Sequence, residues 1–244
     1  MNRGFLYGDG FFETMFLIDG ESPLMDHHLS RAKWAAEWLE MEWNASWTTD
    51  YFASEIKQLN KGHNVARIDF YRNGGGSYVP DSNAMACQIS FKDHEVSNSL
   101  FPVTSNDFAE LSINISKLRP VPVALYNEFR KPITPWSQFK STSAMFYTKA
   151  GLFLKRQPDV EDLILLNESG NICEGLTSNV LIHYRGRWIS PAYDQGAVEG
   201  VFLTHMQAHM PVERTVVSLD MITGADDILL SNGVRGIRKA SLIR

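Results

Sequence analysis

The feature that most constrains this chain is a series of short apolar runs broken by turns between residues 162 and 202. Residues 163–166 are too few for a helix and are flanked by polar residues, which predicts a buried strand. Residues 167–171, with Ser169 and Gly170 inside them, predict a turn. Residues 172–174 restart a strand and 180–184 give another. Arg185 and Gly186 then predict a tight hairpin before Trp188 and Ile189. A helix begins near Gly200. Glu174 falls where these strands predict interior, and an isolated buried carboxylate is costly, so Glu174 requires a partner.

Bulk properties exclude several classes. A chain of 244 residues is one large domain or two small ones and can bury a sizeable core. The net charge of −5 gives no argument for nucleic-acid binding, so an anionic ligand would have to be met by a local cluster of basic groups. Cys87 and Cys173 are far apart and form no metal or redox spacing, which predicts reduced, buried thiols. No apolar run reaches membrane-spanning length, and Asp9 sits where a secretory leader would be apolar. A cytoplasmic protein that binds neither membrane nor nucleic acid is expected. His27, His28 and His183 make no metal-ligand set, and no metal is expected.

Along the chain, residues 3–14 are rich in glycine and aromatics, where glycines allow sharp turns or close backbone approach, followed by strands over 14–18 and 22–25 joined by a turn at Asp19 and Gly20. Asp26 is predicted to cap a helix through about Met41, which makes His28 and Arg31 neighbours on one face; taken alone, Arg31 reads as a solvated charge. A helix over 51–59 and strands over 66–71 and 88–91 follow. Between those two strands lies a loop containing Gly74, Gly75 and Gly76. Residues 92–107 are polar and read as a junction, giving two domains, 1–110 and a larger 111–244. In the second, 111–115 alternates as a strand would. Residues 117–135 carry four prolines and read as a connection, and 141–157 read as a helix. A helix over 201–210 and a strand over 227–231 complete the pattern.

Several motifs in fixed order resemble the class IV aminotransferase family of pyridoxal-phosphate enzymes, which includes branched-chain and D-amino-acid aminotransferases and aminodeoxychorismate lyase. Residues 7–14 (Tyr-Gly-Asp-Gly-Phe-Phe-Glu-Thr) resemble its N-terminal glycine-aromatic motif. His28-Leu29-Ser30-Arg31 is similar to its His-x-x-Arg helix, and Lys140 matches its Schiff-base lysine. Residues 167–175 with Ser178, Asn179 and Val180 resemble its signature, and residues 198–202 resemble its phosphate-binding turn. Two positions depart from the pattern. Met145 stands where the aminotransferases carry tyrosine, with Tyr147 nearby. Gly233 stands where a hydroxyl residue is common, so that contact is lost or Ser231 replaces it.

The resemblance implies an α/β (α+β) two-domain fold of fold-type IV, with the cofactor at the domain interface, in a homodimer. It implies that pyridoxal 5'-phosphate is attached to Lys140 and held at its ring nitrogen by Glu174. Its phosphate would be held by Arg31 and by the N–H groups of Val201 and Phe202, with Ser178 and Asn179 in the same cofactor site. The loop over 72–78, with Arg72 and Tyr78, and residues 194–200 resemble the lyase branch. That branch implies conversion of 4-amino-4-deoxychorismate to 4-aminobenzoate and pyruvate on the folate route. Tyr7, Thr14, Arg72 and Tyr78 are then expected around a small anionic amino substrate. Tyr7 would line a neighbouring subunit's site, Thr14 is a candidate to deliver a proton, and Arg119, Arg130 and Arg235 are further candidates for substrate carboxylates. The alternative is an aminotransferase acting on branched-chain or D-amino acids. A non-catalytic binding protein on this fold is disfavoured because Lys140 and Glu174 are both present.

Overall fold

The computed structural model describes residues 2–95, 97–101 and 108–243, so part of the expected junction at 92–107 lies outside the described residues. The chain divides into two compact units, Met1–Glu95 with Phe139–Ala144, and Val96–Gln138 with Met145–Arg244. The expected division at residue 110 did not include this return of residues 139–144 to the first unit.

The first unit opens with α1 (Arg3–Tyr7), inside the glycine-rich stretch. The Asn2 side chain accepts from Phe5 N, and Gly8, at φ 68°, closes the helix in the left-handed region that favours glycine. β1 (Gly10–Phe16) follows, then α2 (Met25–Trp38) and α3 (Thr49–Leu59), then β2 (Val65–Arg72) and β3 (Met85–Lys92). The strand expected over 22–25 is a turn leading into α2. Asp26 is not its cap. It lies inside the first turn and accepts from Thr49 Oγ1 at 2.9 Å, while Leu24 takes the cap position without a side-chain bond. The three strands form an antiparallel sheet in the order β1-β2-β3. Alternation along β1 turns Phe11, Glu13 and Met15 into the core with Phe52, Ile56, Ile68 and Phe70, and leaves Phe12, Thr14 and Phe16 on the other face.

The second unit runs α4 (Phe108–Ser116), β4 (Val121–Lys131), α5 (Met145–Leu154), β5 (Asp162–Asn167), β6 (Ile172–Gly175), β7 (Asn179–Tyr184), β8 (Arg187–Pro191), α6 (Val201–Gln207), β9 (Val212–Thr215), α7 (Leu219–Thr223), β10 (Asp227–Asn232) and β11 (Gly236–Leu242). Its strands form a mixed sheet in the order β6-β5-β4-β11-β10-β7-β8-β9.

Three expectations are corrected here. Residues 111–115 are helical. Leu111 and Ile115 are buried and Ile113 is exposed, a spacing of four that suits one helix face as well as the alternation suited a strand. The proline-rich connection contains an 11-residue strand, β4. Pro122 is tolerated because it lies next to the strand's first residue, while Val121, Val123 and Tyr126 are buried. The helix expected from Ser141 starts only at Met145, because residues 140–142 bond to β1 instead.

Candidate active site

Glu174 is buried, as the strand pattern predicted, and the chain itself supplies three donors to it. Lys131 Nζ donates to Oε1 at 2.5 Å, the Tyr147 hydroxyl donates to Oε1 at 2.6 Å, and Val198 N donates to Oε2 at 2.9 Å. Two irregularities of the sheet accompany this arrangement. The β4–β5 register shifts between Tyr126 and Lys131, and the β5–β6 register shifts next to Leu165, which pairs with Glu174. Such shifts re-aim side chains that a regular ladder would place elsewhere. Lys131 also donates to the Gly196 carbonyl. Burial raises the Tyr147 hydroxyl pKa well above its ordinary value, and the Glu174 charge raises it further, so Tyr147 acts as a donor. Lys131 escaped the sequence analysis because it lies in the expected connection and no spacing rule links it to Glu174.

Beyond Val198 the chain turns into α6. Gly200 is the N-cap residue and has no side chain to cap the helix. A side chain there would collide with the Asn179 amide, whose Nδ2 donates to the Val198 carbonyl at 2.7 Å. Val201 and Phe202 begin the helix and are buried. α6 packs on β10, where Ser231 pairs with Asn179 of β7. The buried Ser231 hydroxyl has no hydrogen-bond partner among the described residues, an uncommon state for a buried hydroxyl. Ser178 Oγ makes a longer contact, 3.4 Å to Asp162, whose carboxylate also pairs with Arg238 at 3.0 Å.

In the first unit, Arg31 is not a solvated charge. Its Nε and Nη2 donate to the two carboxylate oxygens of Glu13 at 2.8 and 2.6 Å, and His28 Nδ1 lies 2.6 Å from Glu13 Oε2. All three residues are buried. Burial alone would raise the Glu13 pKa, but the Arg31 charge and the His28 bond outweigh it and bring it down to about 2. Burial lowers the His28 pKa despite Glu13. With Nδ1–H given to Glu13, His28 Nε2 is an acceptor, and it has no partner among the described residues.

Lys140 lies along β1. Its carbonyl accepts from Phe12 N at 2.9 Å, and its Nζ is 5.6 Å from the Phe12 ring centroid. Arg67, which the sequence analysis passed over, stacks on the same ring at 3.7 Å and pairs with Asp69. Thr14 is the β-ladder partner of Arg67. Thr14 and Arg67 thus share the sheet face opposite the core with Phe12, whose ring also has Lys140 Nζ over it.

Arg72 is placed differently from a group awaiting substrate. It is buried, and its guanidinium donates to Asp9, to the carbonyls of Leu39 and Glu40, and to Asn83 Oδ1. Arg3 likewise donates to Asp9 and to the carbonyls of Gly75, Gly76 and Ser77, which fixes the glycine loop against α1. That loop brings Tyr78 to Tyr7, with ring centroids 5.9 Å apart and both rings exposed. Met145 is exposed, and it is Tyr147 that reaches Glu174. Among the described residues no His, Cys, Asp and Glu cluster could hold a metal, and no helix is long and apolar enough to cross a membrane.

The curated aminodeoxychorismate lyase of Bacillus subtilis is 26% identical over 247 aligned residues, spanning 96% of this chain and 77% of that protein. A probable branched-chain-amino-acid aminotransferase of Thermotoga maritima is 32% identical, over only 32% of this chain and 31% of its own length. Among solved structures, the 4-amino-4-deoxychorismate lyase of Pseudomonas aeruginosa superposes with a TM-score of 0.77 at 20% identity, covering 99% of this chain and 85% of that one. The branched-chain amino acid aminotransferase of Escherichia coli gives 0.78 at 16% identity, covering 99% and 80%. These two structures share the fold. The model of the amino-transferase class IV family matches residues 10–243, and the chain belongs to that family.

Proposed function

We infer that this enzyme is a pyridoxal-phosphate-dependent lyase that converts 4-amino-4-deoxychorismate to 4-aminobenzoate and pyruvate, a step of folate synthesis. The observation that carries the reading is the buried Glu174 centre leading directly into the turn before α6. Two features fit the cofactor. Among the described residues Glu174 Oε2 receives one donor, Val198 N, and retains a lone pair for a protonated ring nitrogen. The orphaned Ser231 hydroxyl, on the strand against which α6 packs, fits a phosphate oxygen and takes the place of the hydroxyl missing at Gly233.

When bound, pyridoxal phosphate supplies a carbonyl that joins the substrate amine and a ring that accepts electrons. The chain's residues do the rest. Glu174 would hold the ring nitrogen in its protonated form. The N–H groups of Val201 and Phe202, with Ser231, would hold the phosphate, Asn179 supports the turn beside it, and Ser178 accepts from Asn232 in the turn after β10. Arg31 is assigned to the phosphate, with Glu13 fixing the plane of its guanidinium. Lys140 would be the attachment lysine and would serve as the base at the amine-bearing ring carbon of the substrate. Thr14 is a hydroxyl on the same face that could return a proton to the departing pyruvate. Arg67 replaces Arg72 as the cation for a substrate carboxylate, because Arg72 is buried among protein acceptors whereas Arg67, though paired with Asp69, is half-exposed. Tyr7 and Tyr78 form an exposed aromatic pair at the substrate side. A homodimer in the cytoplasm is part of the reading.

The span of the lyase relative favours this reaction, and the partial match to an aminotransferase keeps transamination as the second reading. Turnover separates them. Formation of 4-aminobenzoate without added keto acid is expected, and amine transfer that requires a keto acid overturns the lyase. Lys140→Ala is expected to lose about 10²–10⁴-fold in turnover while keeping its circular dichroism. Borohydride reduction followed by peptide mapping should find the cofactor on Lys140; a label elsewhere overturns that role.

A further inference from the structure

Lys131 is a buried cation that the reaction outlined above does not use. Its side chain and that of Glu174 are 5% and 4% exposed. It bonds Glu174 Oε1 and the Gly196 carbonyl, while Glu174 Oε2 accepts from Val198 N. Lys131, Glu174 and residues 196–198 thus close a ring of contacts just before Gly200, where α6 begins. A lysine bonded to the carboxylate at the ring nitrogen cannot also be the attachment lysine, because the aldehyde carbon lies at the opposite end of a pyridine ring.

Glu174 carries one negative charge. The structure gives it Lys131 as a cation, and the ring nitrogen would be a second. We propose that Lys131 is a positioning residue that ties Glu174 to the 196–198 turn and shares the glutamate's charge with the cofactor's ring nitrogen. Two cations on one carboxylate repel each other, and each weakens the hold of the other. Lys131 therefore makes the ring proton easier to lose and tempers how tightly the ring is held. The proposal rests on pyridoxal phosphate being the ligand.

The test uses 4'-deoxypyridoxine 5'-phosphate, which lacks the aldehyde and reports ring and phosphate contacts without attachment to Lys140. Its affinity and its ultraviolet pH titration are measured on the full chain. Lys131→Met is expected to bind the probe about tenfold more tightly than wild type at mildly alkaline pH and to hold the ring proton to higher pH. Lys131→Arg should behave as wild type. The double variant Lys131→Met/Glu174→Gln should lose the gain. Equal affinity and an equal titration in wild type and Lys131→Met overturn the proposal, as does a gain that persists in the double variant. A purely structural lysine would change unfolding but not the titration. If Lys131→Met does not fold, Lys131→Gln takes its place with the same expected directions. Wild type that binds no probe overturns the cofactor assignment itself, whereas binding without the Lys131 effect overturns this proposal alone.

Discussion

Glu13 lies in the core of the first unit and Glu174 in that of the second, with side-chain exposures of 2% and 4%. Glu13 is held by a two-pronged arginine and by His28, and Glu174 by a lysine, a phenol and one main-chain N–H. Arginine cannot give up its proton in a protein, and its fork fixes the carboxylate in a plane. Lysine is a point charge on a flexible stem and fixes no plane. The first centre is therefore fixed in one geometry. The second is held by single-point donors gathered on Oε1, and among the described residues Oε2 receives only the Val198 N–H.

The contrast breaks most sharply under neutralisation. Glu13→Gln strands the Arg31 charge and is expected to cost about 3–5 kcal/mol of stability. Glu174→Gln leaves Lys131 its bond to the Gly196 carbonyl and should cost less, about 1–3 kcal/mol. Urea unfolding of both variants measures the gap, and equal losses would remove the distinction.

Acid is the next probe. The Glu13 pKa falls from 4.5 to about 2 on folding, so its contribution is complete above the unfolded value and is lost as pH falls through the folded one. For this buried group the loss between those limits is about 3 kcal/mol. His28 acts in the same direction: its folded pKa lies below 6.5, so the unfolded chain takes up the proton first and stability declines as pH drops below that value. Unfolding free energy measured from pH 7 to pH 3 should fall throughout, and Glu13→Gln should flatten the lower part of the curve. The smallest effect sharpens the second centre. Tyr147→Phe leaves Glu174 with Lys131 and Val198 and should cost about 1 kcal/mol in the same unfolding assay.

The sequence made the strands around Glu174 legible because their apolar runs are short and clearly punctuated. It also placed Glu174 inside. It hid β4, because prolines near both ends of that strand read as a connection, and with β4 it hid Lys131. It showed His28 and Arg31 as neighbours on a helix but not the Glu13 between them, since a strand residue and a helix residue meet only through tertiary packing. Arg72 looked available because it adjoins a glycine loop, yet its donors are taken by carbonyls of residues 39 and 40, which no local pattern announces.

β1 is an outer strand of its sheet, and an outer strand presents unpaired main-chain groups to any other chain. Residues 140–142 cover it: Phe12 N donates to the Lys140 carbonyl, and Thr142 N donates to that of Gly10. The segment that carries the lysine is thus also the guard on the sheet's edge. A molecule that fails to seat residues 139–144 misplaces the lysine and bares an aggregation-prone edge together. Misassembled copies should then leave solution as aggregate instead of lingering as folded but inactive protein.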